Sequence, residues 1–87
     1  MSYSDVSAII RTFIKERFLI GRAEGFIKES ESLLEKGVID STGILELVGF
    51  IEEKFGFSVE DEELVPDNLA SIENIIKYVA KKAGVKV

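Results

Sequence analysis

Asp40 and Ser41 are the residues of this sequence best placed to do chemistry. They stand between a polar, irregular stretch and the clearest apolar repeat in the chain, so the pair reads as a helix start. An aspartate at that junction can cap the helix, because its carboxylate accepts hydrogen bonds from the free N–H groups of the first turn. Ser41 then takes the first helical position. Its hydroxyl should be exposed at the positive end of the helix dipole, where a phosphate ester would be favourably held. Little else suggests catalysis. The chain has no histidine and no cysteine, which removes the usual general base, the usual metal ligand, and any thiolate or disulfide. Scattered carboxylates remain, without an acid–base–nucleophile set. The densest acidic run, Glu60-Asp61-Glu62-Glu63, lacks the alternating ligands and central glycine of a calcium loop. No metal site is expected.

The elements that must position the pair follow from apolar spacing. Val6, Ile9, Ile10, Phe13 and Ile14, with Phe18 a turn further on, repeat at helical intervals and predict helix 1 over about 5–18, with Ser4 as its cap. Residues 19–40 form a long connection punctuated by Gly21, Gly25 and Gly37. Phe26, Ile27, Leu33, Leu34, Val38 and Ile39 should anchor it, with a short helical turn near 29–35. Helix 2 runs over about 41–55. Ile44, Leu47, Val48, Ile51 and Phe55 share its core face, Leu45 lies at the border, and Gly56 stops it. Pro66 confines a short third helix to somewhere within 61–70, with Val65 and Leu69 inward. Ser71 should cap helix 4, about 72–83, whose inner face is Ile72, Ile75, Ile76 and Val79. The fold class is therefore all-α: a four-helix bundle of three longer helices and a short third.

Eighty-seven residues with 46% hydrophobic content suffice for one small domain, 1–87, with a single core. No apolar run reaches membrane-spanning length, and the N-terminus lacks the apolar core of a signal peptide. The expectation is a cytoplasmic monomer without membrane insertion. The formal net charge is −5, and its placement is uneven. Residues 40–70 hold nine acids and one base, Lys54, whereas residues 1–39 are balanced and residues 71–87 are basic. Such a field disfavours nucleic acid and anionic lipid, and favours proteins with basic patches.

Asp40-Ser41-Thr42 at the start of a second helix, followed by Glu46-Leu47-Val48 and Ile51-Glu52-Glu53-Lys54-Phe55-Gly56, resembles the attachment region of the acyl carrier protein family, the phosphopantetheine-dependent carriers. The likeness runs over essentially the whole chain. It is tightest over 32–57 and loosest over 19–31. It implies a bundle of acyl-carrier type with a long first loop. It implies 4'-phosphopantetheine, taken from coenzyme A, attached at Ser41 beside the Asp40 cap. It also implies a protein that is a substrate of other enzymes and not an enzyme itself. The arm would supply the thiol that the chain lacks, and acyl intermediates of fatty-acid, lipid or specialised-metabolite synthesis would travel on it as thioesters. The partners implied are a phosphopantetheinyl transferase and acyl-loading and acyl-transfer enzymes with basic docking patches.

The outward face of helix 2, Thr42, Glu46, Gly49, Phe50 and Glu53, is the expected docking surface, aided by the run Glu60–Glu63. Two of these residues are odd in water. Gly49 costs a helix interior about 1 kcal/mol relative to alanine. Phe50 leaves an aromatic ring in solvent unless the long loop, a partner or the arm covers it. The sequence also departs from the common fatty-acid pattern. Thr42 replaces the usual leucine, Gly43 stands where an acid is frequent, and Gly49 and Phe50 replace medium apolar residues. These departures leave open a dedicated lipid, aminoacyl or secondary-metabolite route. The rival reading is an unmodified helical adaptor in which Ser41 merely starts a helix. The match across helices 2 to 4 weighs against it.

Overall fold

In the computed structural model, which describes residues 2–19 and 28–85, helix α1 spans Tyr3–Ile14. Its cap is Ser2, two residues earlier than expected. The Ser2 hydroxyl accepts the Asp5 N–H at 3.2 Å, and the Asp5 carboxylate accepts the Ser2 N–H at 2.9 Å. That reciprocal box satisfies two donors at once, which Ser4 could not do without an acid three residues on. Val6, Ile10 and Ile14 point inward. The helix does not stop at Ile14. It widens into a π turn over Lys15–Leu19, which re-aims the side chains that follow it.

The expected anchors Phe26 and Ile27 lie outside the described residues. From residue 28 the connection is tied down by hydrogen-bonded turns, and no helix forms in it. The Leu33 N–H donates to the Ala70 carbonyl at 2.7 Å, and the Glu73 N–H to the Glu29 carbonyl at 3.0 Å. These bonds fasten the loop to the start of the last helix. Leu33 and Ile39 are buried, whereas Leu34 is 47% exposed and does not anchor the loop.

Helix α2 spans Ser41–Phe55 and ends at Gly56, whose φ of 75° is a left-handed conformation suited to glycine. A 3-10 turn, Asp61–Glu63, and a single α turn, α3, Pro66–Leu69, make up the third helical region. Proline begins α3, where its missing N–H costs nothing. Leu69 is buried, but Val65 is half exposed, contrary to expectation, because it precedes the turn and is not within it. Helix α4 spans Ile72–Lys82, capped by Ser71, whose hydroxyl accepts the Asn74 N–H at 3.1 Å. Among the described residues the chain is all helical, with no strand. One core joins Val6, Ile10 and Ile14 of α1, Leu47 and Ile51 of α2, and Ile72, Ile75, Ile76 and Val79 of α4.

Candidate functional site

The N-terminus of α2 is built by a few local contacts. Asp40 is extended, with φ −117°, and its carboxylate accepts the Gly43 N–H at 2.8 Å while its carbonyl accepts the Ile44 N–H at 2.9 Å. Ser41 follows as the first helical residue and is exposed. Its hydroxyl makes no hydrogen bond among the described residues, so it projects from the positive end of the dipole with nothing to hold it back. Thr42 is exposed beside it.

Gly43 is buried under this turn. A Cβ there would lie 2.6 Å from Ile39 Cγ1 and 3.1 Å from the Phe18 ring. Glycine at this position therefore lets the loop and the π turn close against the first turn of α2. The sequence showed only a departure from an expected acid; the steric reason needed the fold.

Further along α2, the outward face differs from expectation in three places. Leu45 was placed at the core border, but it is 67% exposed, one turn beyond Ser41. Phe50 is half-buried, and among the described residues an aromatic side chain of α1 packs on it. Its ring stacks on Phe13 of α1, with centroids 3.9 Å apart and planes 10° from parallel. Phe13 in turn meets Phe18 edge-on at 5.8 Å. Glu46 is engaged within the chain. Arg17 Nε donates to its Oε2 and Arg17 Nη2 to its Oε1, each at 2.9 Å. Nearby Glu46 raises the Arg17 pKa further above its already high value, chiefly through those bonds. Gly49 and Glu53 stand open on the same face; a Cβ on Gly49 would meet nothing within 4 Å.

The acidic run is divided in the same way. Glu60, Asp61 and Glu62 are exposed. Glu63 turns inward: its carboxylate accepts the Glu60 N–H and the Lys82 ammonium, both at 3.0 Å. Those two contacts, the backbone one first, hold its carboxyl below the usual range. Glu63 is thus a structural residue, and only the first three acids of the run are free to meet a partner.

No family model matches the chain. Individual proteins do. An acyl carrier protein of Thermotoga maritima is 26% identical over 95% of this chain and 98% of its own length. An acyl carrier protein of Chlamydia muridarum is 32% identical over 64% of this chain and 70% of its own. The chain belongs to the acyl carrier protein family. The solved structure of KstB-PCP(apo) agrees: it superposes with a TM-score of 0.71 at 31% identity, covering 93% of this chain and 89% of that one. A carrier of this family is not itself a catalyst, which fits a chain with no histidine or cysteine. Carriers act through partner enzymes, and no helix among the described residues is long and apolar enough to cross a membrane.

Proposed function

We propose that Ser41 is the attachment point of a 4'-phosphopantetheine arm and that the chain presents acyl intermediates to partner enzymes in the cytoplasm, the compartment that supplies coenzyme A. The observation that carries this reading is the exposed, unengaged Ser41 hydroxyl at the first position of α2, next to its Asp40 cap, in a chain of the carrier family. When bound, the arm supplies the thiol on which acyl groups ride. The residues present fit such a group. In a transferase the hydroxyl would lose its proton to a base of that enzyme and attack the pyrophosphate of coenzyme A, so that an Oγ–P bond forms as the bridging P–O bond breaks and adenosine bisphosphate leaves. The N–H groups of Ser41 and Thr42 are not taken up by the Asp40 cap and can face the new phosphate.

Docking would use the outward face of α2. Thr42, Leu45, Gly49 and Glu53 form its open part, Glu46 is held in an ion pair, and Phe50 is half-buried with its ring stacked on Phe13. Exposed charge contacts of this kind are weak, ~0.2–1 kcal/mol each, and fade with salt. That suits a carrier that must leave each enzyme. The pathway served is one of fatty-acid, lipid, aminoacyl or specialised-metabolite synthesis. Labelling by a phosphopantetheinyl transferase with a fluorescent coenzyme A tests the reading. A labelled band for the wild type and none for Ser41→Ala supports it, and label retained in Ser41→Ala refutes it.

A further inference from the structure

The Arg17–Glu46 pair links residues 29 positions apart through two parallel N–H···O bonds of 2.9 Å. Arg17 sits in the π turn that extends α1, and Glu46 sits on α2 about 7.5 Å beyond Ser41 along the helix axis. The fork of the guanidinium occupies both carboxylate oxygens, the geometry in which such a pair is most specific. Both side chains remain open to water, at 57% and 39% exposure, so the pair can exchange with cations from outside. A basic side chain arriving at Glu46 meets an oxygen pair already filled and a positive charge beside it.

We propose that Arg17 is a specificity-determining residue of this carrier: it competes with the basic side chains of partner enzymes for Glu46. This inference rests on the reading that the outward face of α2 is the docking surface. Its consequence is a selection among partners. Enzymes that place a cation opposite Glu46 must displace Arg17 and so are disfavoured. Enzymes that read Leu45 and Glu53, and leave Glu46 alone, are not affected. The phosphopantetheinyl transferase, which must reach Ser41 about 7.5 Å along α2 from Glu46, is an enzyme of the first kind. A surface pair of this kind shifts an equilibrium by about two- to five-fold, enough to rank partners without excluding them.

The test is the kinetics of phosphopantetheinyl transfer from coenzyme A by a broad-specificity transferase onto the wild type, Arg17→Gln, Arg17→Lys, Glu46→Gln and the Arg17→Gln/Glu46→Gln double variant. At low ionic strength Arg17→Gln should lower the KM for the carrier about two- to five-fold with kcat unchanged. Arg17→Lys, a point charge without the fork, should fall between. The gain should vanish in the Glu46→Gln background and near 1 M salt, where screening acts over ~3 Å. An unchanged or raised KM in Arg17→Gln overturns the proposal, as does an equal gain with Glu46 absent, which would signal a general loosening of the fold. If no protein is loaded, the wild type included, the carrier reading itself fails and this inference falls with it.

Discussion

Ile39 Cγ1 stands 2.6 Å from the point where a Cβ on Gly43 would lie. Real Cβ contacts are not that short, and Ile39 is 3% exposed with little room to yield. Gly43→Ala should therefore cost about 1–2 kcal/mol through overpacking, even after the gain in helix propensity. Gly49→Ala, in the same helix with open space around it, should stabilise by about 0.5–1 kcal/mol. Thermal or urea unfolding of the two variants checks the pair. Two shifts of the same sign would contradict the packing described under the first turn of α2.

The stacking of Phe50 on Phe13 makes a second prediction. Phe50→Ala should destabilise by about 2 kcal/mol, from lost apolar burial and the ring pair together. Phe13→Ala made in that background should cost less than Phe13→Ala alone, because the pair term is already gone. Strict additivity in a double-mutant cycle would show that the two rings do not interact.

What the sequence showed of this molecule was its local part. Ser71 and Asn74, or Asp40 and Gly43, are three residues apart, so a cap is visible in a short stretch. Apolar periodicity likewise led to an all-α fold with α1, α2 and α4 around one core. Side chains governed by distant segments were not legible. Leu45 and Leu34 read as inward or border residues because they are leucines, yet both are exposed. Glu46 looked like a free surface acid because its partner Arg17 lies on another element, in a π turn that no spacing rule announces. The candidate site divides similarly: the serine and its cap are local, while the state of the outward face of α2 depends on what α1 delivers to it.

Tyr78 supplies a third prediction. Its ring meets Phe57 edge-on at 6.2 Å, and its hydroxyl is buried without a hydrogen bond within normal reach. Burial first, and then the neighbouring Glu63 carboxylate, push its pKa from 10.0 up to about 12. The folded state thus holds this proton more tightly than the unfolded chain. The contribution is fully present below pH 10 and is lost as pH rises toward 12. Tyr78→Phe should be neutral or slightly stabilising at pH 7, since no bond is forfeited. It should also flatten the fall in stability between pH 10 and 12. Thermal midpoints across that range check both points; a loss above about 1 kcal/mol at pH 7 would mean that the hydroxyl donates to Glu63.

Whether Ser41 carries the arm is read from the intact mass of the protein. The protein and Ser41→Ala are each incubated with coenzyme A and a broad-specificity phosphopantetheinyl transferase, then weighed by mass spectrometry. The wild type should gain one phosphopantetheine and a folded Ser41→Ala none. No gain on a folded wild type that began unmodified, or an equal gain on Ser41→Ala, would contradict Ser41 as the attachment point.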